Sequence, residues 1–511
     1  MSGHAFENNL TNTQRWLITV AVMLVAVIEV LDMTIVNVAL PNMMGSLGAN
    51  ADQITWVLTS YLVSSAVCMP LTGFLVNRIG RKRLLLINIV GFLLASMMCG
   101  MATSLSEIVL FRTLQGIFGA TLVPLSQYVL RDTFPLEEQG KAMAIWGIGI
   151  MAGPVLGPTI GGYITESLSW RWIFYLNIPV CIIAFVMAII VIRETPRKKQ
   201  HIDYMGLFWM VLGIGTLQIF LDRGNQENWL DSNVIITLVA TSIISLGIFI
   251  VRGLIVERNI VNLWLFKNRN FCIATTMLTL YCISMFGLMA VQPLMLESLL
   301  DYPTSFAGLV MAPRGISCAI GMAMIANLMK RMDVRWLIAF GGLLSAFGSY
   351  RMCQYGLDVD ASRIMLDGAI QGFGMGFFFV PLSAISLSTL DSHATAEGSG
   401  LFSFGRSIGS SIGISILGTV FARGVQINWN RLGGHLSPGS PALSQWLQTY
   451  HLTLTDSLTP QLLGAELSRQ ASMISFVNCF WLSAIGFMLV VPLVLLLKPI
   501  DFTQTKLAMG H

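Results

Sequence analysis

Charge is scarce in this chain. Asp, Glu, Lys and Arg make up only 11% of its 511 residues, against about a quarter in a typical soluble domain. With 55% apolar residues and a mean hydropathy of +0.72, it could not stay in water as a globule. The net charge of +4 and a pI of about 8.6 are too modest for a nucleic-acid binder. Histidine is rare as well: the six residues form no cluster. No HExxH, P-loop or G-x-S-x-G elbow is present, so metal, ATP and acyl-transfer chemistry lack their motifs. The eight cysteines include no C-x-x-C pair. Cys68, Cys99, Cys181, Cys272, Cys282, Cys318 and Cys479 fall inside apolar runs and Cys353 ends another, which reads as buried filler rather than disulfide or metal ligand. Neither an enzyme nor a cofactor is expected.

Long apolar runs are abundant. A helix needs about 20 apolar residues to cross the hydrocarbon layer, and fourteen segments qualify. They lie near 16–40, 54–76, 84–104, 106–130, 142–164, 172–192, 204–222, 233–251, 271–296, 304–328, 336–354, 364–388, 398–421 and 471–497. The segment at 336–354, with Arg351 near its end, and the Gly- and Ser-rich 398–421 are the least apolar. The polar N-terminus precedes an apolar run that is too long for a signal peptide and lacks a cleavage site, so it reads as a retained anchor. With both termini inside, 20 of the 30 Lys and Arg fall in inner segments, seven in outer ones, and Arg112, Arg314 and Arg406 within spans. That bias fits the positive-inside rule, and one slipped span would invert every later loop. The fold class predicted is an all-α polytopic membrane protein.

One offset of 256 residues brings several features into register. Gln115-Gly116 maps to Gln371-Gly372, Gly149, Gly153 and Gly157 map to Gly405, Gly409 and Gly413, and Asn77 maps to Asp333. Transporters built from two related bundles leave such echoes. The offset pairs spans 2, 4 and 5 with spans 10, 12 and 13, a shift of eight. Two six-helix bundles with an extra pair of helices between them account for it. The division expected is residues 1–193 for the first bundle, 194–270 for a linker with the inserted pair, and 271–511 for the second bundle, with a long outer loop at about 422–470.

Intramembrane charges are costly and mark function by default. Span 1 carries Glu29 and Asp32, three residues apart and so on roughly one face. Asp32 lies about 24 Å from the inner end at 1.5 Å per residue, past mid-depth. Desolvation can bring such a carboxylate's protonation into the working range. Both acids are candidates for proton coupling, with a hydrogen-bonded structural carboxylate as the alternative for Asp32 and a place nearer lipid or solvent for Glu29. Arg112 has no partner in its own helix and requires a carboxylate or carbonyl from another, Asp32 among them. It can also form a fixed structural pair.

Span 5 repeats glycine at 149, 153, 157 and 161, followed by Gly162; the stripe lets another helix approach closely. Pro154 and Pro158 each remove a backbone donor, so a bend is expected there. The loop Gly73 to Arg83 reads GFLVNRIGRKR. Topology explains Arg78 and Arg81 but not Gly73 and Gly80, although glycine at 80 suits a tight turn. Candidate cavity residues are the intramembrane polar groups Asn37, Gln115, Gln218 and Gln292, with Arg314 and Arg406 suited to an anionic ligand if they face it.

These residues resemble the major facilitator superfamily, and more closely its fourteen-span drug:proton antiporter branch. GFLVNRIGRKR is similar to the superfamily's second-loop signature, Arg112-x-x-Gln115-Gly116 to its fourth-helix signature, and GPVLGPTIGG to the fifth-helix antiporter signature. LDMTIVNVALP is similar to the branch's first-helix signature. TSYLVSSAVCMPLTGFL, WRWIFYLNIPV and LQIFLDRGNQENW resemble EmrB-type multidrug exporters of Gram-negative bacteria. The resemblance implies alternating access in the inner membrane, driven by the proton gradient and needing no cofactor. Asp32 would carry the proton, Arg112 would be its electrostatic partner, and span 5 would lie between the bundles. It also implies a periplasmic adaptor of EmrA type and an outer-membrane channel, which the outer segment at 422–470 could meet. One departure stands out: the loop signature carries an acid where this chain has Asn77. Export of one dedicated metabolite, such as a siderophore, is a second reading, and a non-transporting receptor or enzyme a third.

Overall fold

The computed structural model describes residues 11–499 apart from 136–137, 196, 198–201, 257–258, 330, 392–393, 438–439, 450–452 and 454–458. Every regular element among them is helical. Fourteen long helical segments follow one another: α1 Asn12–Leu47, α2 Asp52–Ile79, α3 Arg81–Met101, α4 Leu105–Thr133, α5 Gln139–Ser167, α6 Trp172–Val191, α7 Tyr204–Arg223, α8 Asn233–Ile255, α9 Arg269–Leu299, α10 Thr304–Leu328, α11 Val334–Met352, α12 Ala361–Ser388, α13 Thr395–Gly433 and α14 Thr459–Leu496. Twelve are long and apolar enough to cross a membrane by length and composition. The other two, α5 and α11, are continuous helices of 29 and 19 residues, and their place among fourteen spans rests on the sequence. In α11 the flanking Arg335 and Arg351 lower the hydropathy of a short helix.

Local chemistry sets the ends. Thr11 and Gln14 form a reciprocal capping box at the start of α1, satisfying two donors that a helix leaves open. Gly48, at φ 61°, closes its end. Gly80, at φ 94°, separates α2 from α3, in a conformation that favours glycine.

Helix packing repeats across the chain. Helix α1 packs on α5 and α6, α2 on α4, α3 on α4 and α6; in the second half α9 packs on α13 and α14, α10 on α12, α11 on α12 and α14. Glycines at the 256-residue offset make equivalent close approaches. A methyl group on Gly116 would meet the Tyr61 backbone oxygen at 2.6 Å, and one on Gly372 would meet the Arg314 backbone carbon at 2.8 Å. Gly153 abuts Val30 and Leu31 of α1; Gly409 abuts Thr279 and Cys282 of α9. Small residues permit such backbone contact in membranes, where dispersion and polar contacts hold helices together. The side chains of Pro154 and Pro158 lie outside the described residues.

The two bundles meet along α5–α10 and α2–α13. The inserted helices α7 and α8 pack on each other, and α7 lies against both α2 and α13. Asp222 accepts from Thr59 of α2, Gln218 donates to Ser411 of α13 at 2.6 Å, and Trp229 donates to Thr419 at 3.1 Å. Asp203 caps α7 through the Gly206 amide at 3.0 Å and pairs with Arg252 of α8 at 2.8 Å. The inserted pair thus straps one side of the seam between the bundles.

The segment expected as a long outer loop is mostly helix. Helix α13 runs on to Gly433, a short helix covers Pro441–Thr449, and α14 begins at Thr459. Phe421 stacks on Phe476 with ring centroids 4.3 Å apart, and Asn428 donates to Ser475 at 3.0 Å.

Candidate functional site

Asp32 sits at the centre of a polar network inside the first bundle. It is fully buried and Arg112 is 1% exposed. Arg112 Nη1 donates to Asp32 Oδ2 at 2.6 Å, Gln115 Nε2 to Oδ1 at 2.9 Å, and Asn177 Nδ2 to the same oxygen at 2.7 Å. Arg112 Nε donates to the Val57 carbonyl at 3.2 Å, and its guanidinium lies 4.3 Å over the Tyr61 ring. A buried charge needs this degree of pairing, because an isolated one would be strongly destabilising. Four helices supply the partners: α1, α2, α4 and α6.

Asn177 and Tyr61 were not singled out from the sequence, although both stand in motifs quoted above. An asparagine in WRWIFYLNIPV gives no sign of its partner until α6 is packed on α1. Gln115 is fully buried, and its amide is committed to Asp32 and Arg112. It belongs to the charge network rather than to an open lining.

Glu29 lies one turn along α1, 4% exposed, so it does not face lipid or solvent. Tyr61 donates to its Oε1 at 3.1 Å. Arg406 of α13, in the opposite bundle, is the principal positive charge in its field. One helix therefore presents two acids in different settings: Asp32 is paired with an arginine, and Glu29 is held by a phenol.

The other candidates disperse. Asn37 is exposed. Gln218 is buried between α7 and α13 through Ser411, so it strengthens the strap. Gln292 of α9 accepts from Arg314 of α10, both buried. A further buried acid, Asp367 of α12, was missed; Arg351 pairs with it at 2.5 Å and Tyr355 donates to it at 3.1 Å. Its signal was an Asp within an apolar run, the same signal that marked Asp32.

The basic loop and α13 form a clasp. Asn77 Nδ2 donates to Glu397 Oε1 of α13 at 3.2 Å. A methyl group on Gly73 would come within 2.7 Å of the Glu397 backbone nitrogen, which explains this glycine. On the same side Arg131 donates to Thr395 at 2.6 Å and to the Leu390 carbonyl at 3.4 Å. Arg81 pairs with Asp132, and its amide donates to Thr195 at 3.0 Å. Arg78 lies beside Phe74, 5.9 Å from the ring centroid. The acid absent at position 77 is thus met by one from the other bundle. On α5, Gly147 faces the other bundle, where a methyl would lie 2.8 Å from Met322 of α10, whereas the glycines of the stripe face α1 within the first bundle. Gly149, Gly157 and Gly161 abut Met23, Thr34 and Ile35 of α1, whereas Gly162 has only Val38 at 3.8 Å.

The sequence profile of the Major Facilitator Superfamily matches residues 22–414. The chain is 35% identical to the multidrug export protein EmrB of Escherichia coli (strain K12) over 504 residues, 96% of this chain and 97% of that protein. It is 36% identical to the fatty acid resistance protein FarB of Neisseria gonorrhoeae, covering 94% and 96%. Among solved structures, the human organic anion transporter MFSD10 superposes with a TM-score of 0.62 at 13% identity, covering 94% and 99%. The proton:xylose symporter XylE does so at 0.59 and 14%, covering 94% and 97%; at these identities both bear on the fold alone. The chain is a multi-pass membrane protein and a transporter rather than an enzyme. With its repeated six-helix packing, its profile match over most of the chain and its full-length likeness to EmrB, it belongs to the major facilitator superfamily, among the EmrB-like proteins.

Proposed function

We propose that the chain exports amphipathic or hydrophobic toxic compounds by proton antiport, through alternating access across the bacterial inner membrane, with both termini cytoplasmic. The observation that carries the reading is a buried Asp32–Arg112 pair in a chain with 35% identity to a multidrug export protein along its length. A carboxylate held this way has two states with different partners. Ionised, it anchors Arg112, Gln115 and Asn177; protonated, it gives up the charge that holds the guanidinium and frees those donors. Proton arrival thereby loosens α1 against α4 and α6. The proton gradient is the energy source, each charge crossing 100 mV being worth about 2.3 kcal/mol. No cofactor is required.

Residues 1–193 and 271–511 act as the rocking units, with 194–270 contributing the strap. The clasp of Asn77 with Glu397 holds the basic-loop side shut in one state, and the glycine face of α5 keeps α1 packed closely within the first unit. The helical projection formed by the ends of α13 and α14 is the surface offered to an adaptor of EmrA type, itself joined to an outer-membrane channel. A drug-panel susceptibility comparison of cells expressing wild type and Asp32→Asn, with membrane levels matched, tests the reading. Equal resistance in both strains would remove Asp32 from the mechanism.

A further inference from the structure

The inserted helices bond to both bundles, and the two sets of bonds differ in kind. Toward α2, at the end opposite the basic loop, Asp222 accepts from Thr59. Arg223 donates to the Asp52 carbonyl at 3.1 Å, and its guanidinium lies 4.3 Å from the Trp56 ring centroid. Further along α7, a methyl group on Gly215 would meet Val63 of α2 at 3.9 Å. Residues 52, 56, 59 and 63 cover about 16 Å of α2 at 1.5 Å per residue, so α7 follows one face of that helix. Toward α13, two neutral hydrogen bonds are made among the described residues: Gln218 to Ser411 at 2.6 Å and Trp229 Nε1 to Thr419 at 3.1 Å. Hydrogen bonds with an ionised partner are roughly twice as strong as neutral ones, and the arginine–indole contact adds a cation–π attraction. The hold on α2 is the stronger.

The hairpin itself is stiff. The Trp229 ring packs edge-on against Phe220 of α7, centroids 5.3 Å apart, and the Trp229 amide donates to the Gly224 carbonyl at 2.7 Å. Asn228 and Trp229 both lie in the left-handed region, at φ 56° and 55°, which residues with a Cβ adopt where their surroundings enforce it. Asp203 and Arg252 tie α7 to α8 at the far end, and Ser242 of α8 donates to the Gly213 carbonyl of α7 at 3.1 Å. The pair therefore moves as one body.

Helices α2 and α13 belong to different bundles. Near the basic loop they touch directly, at Asn77 with Glu397 and at Gly400 with Met69 and Thr72; toward the other end α7 bonds to both. Rocking changes the separation of α2 and α13 there, so a stiff body cannot keep both sets of bonds, and the weaker set must give way. We propose that the α7–α8 hairpin travels with the first bundle, and that Gln218–Ser411 and Trp229–Thr419 form a latch to α13 that releases in each transport cycle. This rests on the alternating-access reading and assigns the inserted pair to one of its two moving units.

Distances between nitroxide labels on the purified full-length chain in nanodiscs test it. The labels are carried by p-acetylphenylalanine, which leaves the eight native cysteines in place. They stand at Asn233 on the hairpin, Leu168 at the same end of the first bundle and Asp358 at that end of the second, all three exposed. Between pH 6 and pH 8 the Asn233–Leu168 distance should stay fixed. Asn233–Asp358 and Leu168–Asp358 should shift together by about 5 Å, the scale of a one-turn displacement. Gln218→Leu with Trp229→Phe removes both donors to α13 and keeps a ring against Phe220. In that double variant the Asn233–Asp358 distribution should widen about twofold at either pH, with Asn233–Leu168 as in wild type. An Asn233–Leu168 distance that moves with pH, or an unchanged Asn233–Asp358 distribution in the double variant, overturns the proposal. Should Leu168–Asp358 ignore pH in wild type, the alternating-access reading fails, while the double variant still decides whether α13 is the weaker hold.

Discussion

Asn77 and Glu397 meet across the seam between the two bundles, the amide nitrogen of one donating to the carboxylate of the other at 3.2 Å. The charge that the second-loop signature normally carries on α2 stands here on α13. Restoring an acid at position 77 would place two carboxylates side by side. At this separation like charges repel by about 1 kcal/mol in water and about 4 at an effective dielectric of 20. Asn77→Asp should therefore open the clasp and lower export. Asn77→Asp with Glu397→Gln should recover it, the acid and amide having changed places. Efflux of a fluorescent substrate from cells carrying the single and double variants checks this, and a double variant no better than the single would sink it.

Asp32→Asn keeps the size of the side chain and removes its charge, leaving Arg112 buried beside an amide. Breaking a buried pair from one side costs about 3–5 kcal/mol, so the thermal midpoint of the purified protein should fall. Uphill export should vanish even where expression at the membrane is maintained. Removing both partners, as Asp32→Asn with Arg112→Gln, should regain part of the stability and none of the export. Recovery of gradient-driven export in the double variant would contradict a coupling role.

The glycines of α5 should separate by what faces them. Gly153→Ala places a methyl 2.7 Å from Val30, and overpacking of that kind costs about 1–3 kcal/mol. Gly162→Ala meets only Val38 at 3.8 Å and should be neutral or stabilising by up to about 1 kcal/mol from helix propensity. Thermal midpoints of the two variants in detergent decide this, and equal effects would rule out a close α1–α5 seam.

Asp203, just ahead of α7, is held below the usual carboxylate range by its hydrogen bonds from Arg252. A depressed folded-state value means the contribution is complete above the unfolded value, about 3.9, and disappears only as pH falls through the folded one. Asp203→Asn should lower stability by on the order of 0.5–1 kcal/mol, as for a partly exposed pair, and by the same amount at pH 6 and pH 8. Denaturation midpoints at the two pH values test the sign; a deficit that shrinks toward pH 8 would contradict it.

Much of this architecture was legible before packing was known. Twenty-residue apolar runs can only be helices where lipid offers backbone groups no partner. The 256-residue offset recovered the helix pairs because close backbone approach demands glycine at matching depths, as at Gly116 against Tyr61 and Gly372 against Arg314. The site was only partly legible. Asp32 and Arg112 declared themselves, since any charge in an apolar run does, and Asp367 carried the same mark. Asn177, Tyr61 and Glu397 did not: an amide, a phenol or a helix-end acid is unremarkable until another helix is laid against it.

The sequence by itself determined that the chain is a helical membrane protein, because the cost of exposing backbone or charge to hydrocarbon is local and falls residue by residue. Tertiary structure alone decided that Asp32 is enclosed by Arg112, Gln115 and Asn177 while Glu29 is held by Tyr61, that Gln218 bonds to Ser411, and that Arg314 pairs with no acid among the described residues. Those are properties of pairs of groups far apart in the chain, and coulombic and hydrogen-bond energies depend on distances that only helix packing sets.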